Sequence, residues 1–248
     1  MWWSCSSRPV DGRSTAAGAP VLIGHARPNS ALASVIPRPS AILAHALTIL
    51  AIAAAGWALY DPRPYWPVVA LLALLPWLAL VATARRPKAD LYIPLMLPGC
   101  VLGLRAVIDV QLPERWQALL PAAAIAIVMA VLIRLTREDR EFPLWLYLLL
   151  FVPVMAFYGY GSVVLANKLL DRSVPKLYLT FVYDRSMHKV SRQMVWDLRL
   201  GPWGPRKEAE SVSVTRGLYE ATEIDDGVCV LLHPGAFGMR WFEVAKCG

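Results

Sequence analysis

The sequence predicts a membrane-embedded α-helical bundle of about five spans, followed by a small all-β domain, a five-stranded barrel or sandwich. Three observations carry this reading. Long apolar stretches recur between Ala41 and Ala166. Near Asn167 the texture changes to a two-residue alternation studded with charges. The composition is 57% hydrophobic and only 17% charged, where soluble domains run near a quarter charged. The expected organisation is a tail over residues 1–40, a membrane domain over 41–166 and a β domain over 171–248.

A span needs roughly 20 mainly apolar residues. The first is expected over 41–60, with Ser40 as an N-cap and Asp61-Pro62 as a stop. The second, 65–84, opens on the interfacial pair Tyr65-Trp66 and ends at Arg85-Arg86-Pro87-Lys88. The third, 91–110, is the weakest, because it contains Pro94, Pro98, Gly99, Gly103 and Arg105. The fourth, 116–133, is closed by Arg134. The fifth, 142–166, is long enough to tilt.

Charge placement orients these spans. With the N-terminus in the cytoplasm, the inside segments hold Arg8, Arg13, Arg27, Arg38, Arg85, Arg86, Lys88, Arg134, Arg137 and Arg140. The outside loops hold only Arg63 and Arg115. This agrees with the positive-inside rule and puts the β domain outside the cytoplasm. A third segment that is only re-entrant would reverse that placement. The net charge is +7, and the part up to Ala166 carries 13 Lys/Arg against 8 Asp/Glu. The remainder carries 12 against 10. The basic excess therefore accompanies the spans, and nucleic acid is not an expected partner.

The tail is rich in Ser, Ala, Pro and Arg and shows no apolar region ahead of a cleavage site, so a secretory signal peptide is not expected. Its composition shares Arg richness and few acids with organellar transit peptides. Pro20, Pro28, Pro37 and Pro39 would break an amphipathic helix, which favours a disordered cytoplasmic tail.

From Lys176 the period becomes two. Leu177, Leu179, Phe181 and Tyr183 alternate with Tyr178, Thr180 and Val182. Met194, Trp196, Leu198 and Leu200 form a second strand, Val212 and Val214 a third, Val228, Val230 and Leu232 a fourth, and Met239 to Val244 a fifth. Turn signals at Gly201–Pro205, Asp225–Gly227 and His233–Gly238 separate them. So small a core is marginal alone, and is expected to lean on the membrane domain, a partner or a disulfide.

Cys229 and Cys247 form a possible disulfide in an oxidising compartment, with two unpaired thiols as the alternative. A metal site would recruit His233 and His188 beside Cys229, but no zinc-like spacing supports it, and no metal or other cofactor is expected. Gly159-Tyr160-Gly161 has the letters of a potassium filter but sits inside an apolar span, where helix packing explains it. Gly99 and Gly103 make a G-x-x-x-G pair. Pro94 and Pro98 suggest a broken transporter helix. Arg105 and Asp109 lie one turn apart and form a possible intramembrane functional pair. The alternative is that Arg105 snorkels to the outer interface. Trp203, His233 and Phe237 mark a possible contact surface on turns.

Asn167 and Asp171 after the last span, Asp226-Gly227-Val228, and the closing run from His233 to Trp241 resemble the ends of uncharacterised multi-pass bacterial inner-membrane proteins. The resemblance covers roughly the last eighty residues and the span pattern. It implies a bacterial membrane protein with an extracytoplasmic β domain and brings no activity with it.

The expectation is a non-enzymatic membrane protein, embedded in the bilayer, whose β domain contacts an envelope protein or a second copy. The alternative is a small transporter or channel subunit built on the third span. A membrane enzyme would need a cleft uniting Asp61, Asp109 and Glu114.

Overall fold

A computed structural model describes residues 39–60, 66–85, 91–136, 143–190 and 193–247. The expected tail, Asp61, and the charged loops at 86–90 and 137–142 lie outside the described residues.

Five helices are long and apolar enough to cross a membrane. They are α1 (Pro39–Tyr60), α2 (Trp66–Arg85), α3 (Tyr92–Asp109), α4 (Leu119–Thr136) and α5 (Leu144–Leu169). A short 3₁₀ turn, Arg115–Ala118, leads into α4. Large apolar side chains such as Ile49, Leu74, Val107, Ile127 and Leu149 stand exposed along their outer faces. Uncovered apolar surface on this scale, on helices of this length, fits a lipid solvent.

The third helix corrects the sequence reading. It is one continuous helix with Pro98 inside it, not a broken pair. It is also the most enclosed of the five, with half of its residues buried. It packs against α1, α2 and α5. The glycines that weaken its hydropathy are what admit it to the centre. A Cβ on Gly99 would crowd the Val154 carbonyl, and one on Gly103 would meet Phe157. From the facing side, a Cβ on Gly161 would overlap the backbone of Leu102, and one on Gly159 the carbonyl of Ala122. Gly159 and Gly161 are therefore packing surfaces that let α5 touch α4 and α3 at backbone distance. One polar link ties α2 to α5. Trp77 Nε1 donates to Tyr158 Oη at 2.8 Å, and that hydroxyl donates to the Ala73 carbonyl.

The C-terminal region is a curled five-stranded antiparallel sheet, a half-barrel. Its strands are β1 (Lys176–Val190), β2 (Gln193–Leu200), β3 (Glu210–Val214), β4 (Gly227–His233) and β5 (Trp241–Lys246), in spatial order β3-β2-β1-β4-β5. A five-residue helix, α6 (Arg216–Glu220), follows β3, capped by Thr215 Oγ1 accepting from Leu218 N. The long β1 belongs to both halves of the sheet. Its first part, Lys176 to Phe181, pairs with β4. Its second part, Asp184 to Val190, pairs with β2. Register shifts between Val182 and Asp184, leaving Tyr183 as the extra residue of a bulge. A bulge bends the strand and strengthens its twist, which here curls the sheet.

The inner face holds Val182, Leu198, Leu200, Trp203, Val212, Val228, Val230, Leu232 and Phe242. The structure decides which of the two alternating sets of β1 faces the core. Leu177, Leu179 and Phe181 are 63%, 60% and 54% exposed, while Thr180 and Val182 point inward.

Candidate functional site

The polar residues gather where the bundle meets the sheet. Asn167, in the last turn of α5, is 0% exposed. Its Nδ2 donates to the Met239 carbonyl at 2.7 Å, and its Oδ1 accepts from Phe237 N at 2.9 Å. Its own carbonyl accepts from Ala236 N at 3.2 Å. Asp171, just beyond the helix, accepts from Gly235 N and Trp241 Nε1, each at 2.9 Å, and from Ser173 N and Oγ. Partial burial would raise its carboxyl pKa, but these hydrogen bonds outweigh that and hold it below the ordinary carboxylate range. The turn between β4 and β5 is shaped to be held. Gly235 has φ +78°, and a Cβ there would strike the Met239 carbonyl and the Asn167 amide.

A row of charges and rings runs beside this clasp. Arg105 Nη1 meets Asp109 Oδ1 at 3.3 Å. Lys168 Nζ donates to the Asp109 carbonyl at 3.1 Å and lies 4.8 Å from the centroid of Trp241. Trp241 stacks on His233 with centroids 4.0 Å apart and planes 9° off parallel. Arg105 is only 8% exposed, so it sits inside the protein and does not snorkel to the interface. Asp109 Oδ2 is buried with no hydrogen-bond partner among the described residues.

Three further contacts fasten the loop before α4 to the sheet. Phe242 N donates to the Gln111 carbonyl at 2.9 Å. Arg206 Nη2 donates to the Pro113 carbonyl at 2.8 Å. Arg240 approaches Glu114 at 3.7 Å. A cleft of about 500 Å³ lies here, lined by Glu114, Arg115, Trp116, Arg206 and Glu210 among others. Of the acids that an enzyme reading would unite, Glu114 lines this cleft, Asp109 does not, and Asp61 lies outside the described residues.

The expected contact surface is partly overturned. Trp203 is 3% exposed. Its ring packs 4.8 Å from Phe242 and 6.1 Å from Tyr178, centroid to centroid. The Gly-Pro flanks suggested a protruding loop, but the indole folds back to close the open mouth of the half-barrel. His233 is spent on Trp241. Phe237 does stand exposed at the tip of the clasped turn. Cys229 and Cys247 are joined by a disulfide. It ties β4 to the end of β5 and removes the thiol that a metal reading with His233 and His188 would require. On the polar outer face, Asp197 accepts from Ser213 Oγ at 2.6 Å and lies 3.0 Å from His188 Nδ1. The carboxylate stands between the two, so the imidazole does not contact the serine, which is not the Ser–His–Asp order of a catalytic triad.

A second cluster, absent from the sequence reading, lies at the far end of the sheet. Beyond Trp196 the β1–β2 hairpin has no third strand, since β3 stops pairing at Val214 and β4 at Gly227. Met187 and Met194 are exposed on this ribbon. At its base the Trp196 and Tyr219 rings lie 5.0 Å apart. Arg185 lies 4.3 Å over Tyr219, and Arg216 lies 5.8 Å from the centroid of Trp196. Strand alternation could have flagged Met187 and Trp196, which pair directly, but the help of Tyr219 depends on α6, whose five residues carry no periodic signal.

No protein-family model, characterised protein or solved structure matches this chain. What the protein does is therefore argued from its own residues.

Proposed function

We propose that this is a membrane-anchored contact protein, acting without catalysis, whose β domain holds a protein partner away from the bilayer. The observation that carries the reading is the distal cluster of Trp196, Tyr219, Arg185, Arg216, Met187 and Met194. Trp, Tyr, Arg and Met are the residues enriched at the energetic centres of protein interfaces. Methionines on a two-stranded ribbon offer an adaptable surface. The ribbon tip lies as much as ~45 Å along β1 from the membrane end, at about 3.3 Å per residue. Arg216 is paired with Glu220 and Arg185 donates to the Tyr219 carbonyl, each at 2.7 Å, so the two guanidiniums hold the rings in place and the rings and methionines carry the contact. The clasp at Asn167 and Asp171 serves this role by fixing the platform to the bundle.

The charge bias of the loops supports a cytoplasmic N-terminus and a β domain outside the cytoplasm, and the disulfide fits an oxidising compartment. The resemblance in the sequence favours a bacterial inner membrane and an envelope protein or a second copy as partner. Reporters fused after Gly248, one active only outside and one only inside the cytoplasm, test the placement. A photocrosslinker at Met187 tests the contact, with Ser186, which faces the opposite side, as control. Adducts at 187 and none at 186 are expected. Equal labelling at both, or none at either, would overturn the reading.

A second reading keeps the transporter alternative, because Asp109 Oδ2 is a buried carboxylate oxygen with no hydrogen-bond partner among the described residues, beside Arg105. It expects Arg105→Ala to abolish a transport phenotype in protein that still inserts. Normal transport in that variant would remove it.

A further inference from the structure

The outer face of β1 holds a stripe of apolar side chains that none of the described residues covers. Leu177, Leu179 and Phe181 project from it, and exposed Tyr183 ends it at the bulge. We propose that this face rests against the lipid headgroup layer of the leaflet from which α5 emerges.

The register of the sheet carries the argument. His233 pairs with Trp241, Leu231 with Glu243 and Cys229 with Ala245. Leu177 pairs with Leu231, Leu179 with Cys229 and Phe181 with Gly227. Directly paired residues of an antiparallel sheet project to the same side, and alternate residues share a face. Trp241, His233, Leu231, Leu177, Leu179 and Phe181 therefore share one face. At its β5 edge that face already lies on a membrane helix, through Trp241 against Lys168 of α5. At its β1 edge it is bare. The bare part is continuous with the lipid-facing surface, because Leu169, Leu170 and Val174 lead from the end of α5 into β1 and are all exposed.

Charge and area favour lipid over a second copy. Arg172 is exposed just ahead of the stripe, where a cation meets anionic headgroups. Tyr183 is a residue type favoured at the headgroup level. The stripe is one strand wide, whereas a stable protein interface takes about 20–30 residues from each side. Four side chains are too few for a dimer and enough to rest in an interface. This inference is independent of the distal cluster, which carries the proposed partner contact.

The full chain, with Cys5 and Cys100 replaced by Ser and the Cys229–Cys247 bridge intact, is labelled with an environment-sensitive fluorophore at Leu179→Cys. It is reconstituted in vesicles of phosphatidylcholine and phosphatidylglycerol, with and without headgroup-spin-labelled lipid. Ser186→Cys, on the polar part of the outer face, is the control. The expected result is quenching by labelled lipid at 179 and none at 186, unchanged when the protein is diluted with lipid. Loss of the effect on dilution, with label-to-label proximity in concentrated samples, would replace lipid with a second copy and overturn the proposal. An unquenched, water-exposed label at 179 would overturn it as well. Leu177→Cys repeats the test if the label disturbs position 179.

Discussion

Asn167 grips Met239 across 72 positions of sequence, its Nδ2 donating to the Met239 carbonyl at 2.7 Å. The same amide receives Phe237 N, so one side chain satisfies both a donor and an acceptor of the turn. Asn167→Ala strands both groups in a buried place, and each stranded group costs roughly 1–3 kcal/mol. The expected result is a lower unfolding temperature of the β domain in detergent and new protease cleavage between Gly235 and Met239. Unchanged melting and unchanged cleavage would show that the clasp is dispensable.

Asp171 makes the junction sensitive to acid. Its folded pKa lies below the ordinary value, so folding favours the ionised form. That contribution is complete above the ordinary aspartate pKa of about 3.9 and is lost as pH falls through the lowered value. The junction should hold from neutral pH to about pH 4 and loosen below it. Asp171→Asn should flatten this acid limb in a pH series of melting curves. An identical limb would assign the acid sensitivity to other groups.

Glycine packing in the bundle is tested by two contrasting substitutions. Gly161→Ala puts a methyl against the backbone of Leu102, which cannot rotate away. Gly56→Ala meets nothing within 4 Å and removes a poor helix former. The first should lower stability in detergent, and the second should be neutral or raise it by about 0.5–1 kcal/mol. Equal behaviour of the two would contradict the close approach of α3 and α5.

Trp203→Ala is expected to destabilise the β domain by roughly 3–5 kcal/mol, the cost of emptying a large aromatic site. Trp203 Nε1 is buried with no hydrogen-bond partner among the described residues. Trp203→Phe deletes that donor along with only part of the ring, so it should cost less. Denaturant titration of both variants decides it. Wild-type stability in Trp203→Ala would return Trp203 to the surface.

Much of this architecture was legible in the chain because apolar length and two-residue alternation are local signals. The ends of α1 and α2 fall within two residues of the positions that Ser40, Asp61 and Arg85 suggest. Two misreadings and one open choice share a cause. The Pro and Gly residues of α3 lower its hydropathy, yet they suit a helix that its neighbours enclose on half of its surface. Trp203 sits in a run of turn residues, and only the distant Phe242 and Tyr178 explain its burial. The alternation of β1 left its inward face open, and the choice of Thr180 and Val182 rests on their pairing with Val228 and Leu200. In each case the deciding partner lies far away in sequence. Asn167 and Asp171 were visible as residues, but their meeting with the β4–β5 turn was not.

The bulge at Tyr183 works like a frame shift in a two-letter code. Before it, the even-numbered positions of β1 face inward. After it, Arg185 and Met187 pair with Leu198 and Trp196, so the odd positions do. Deleting it would set Asp184 directly after Val182, as their partners Arg199 and Leu200 already stand, so the inner and outer sets of both halves would keep their faces. What would go is the local bend that the extra residue gives β1. The Leu177 stripe and the Met187 ribbon would stay on opposite sides of a flatter sheet, so the curl of the sheet, and not its two-sidedness, hangs on one residue.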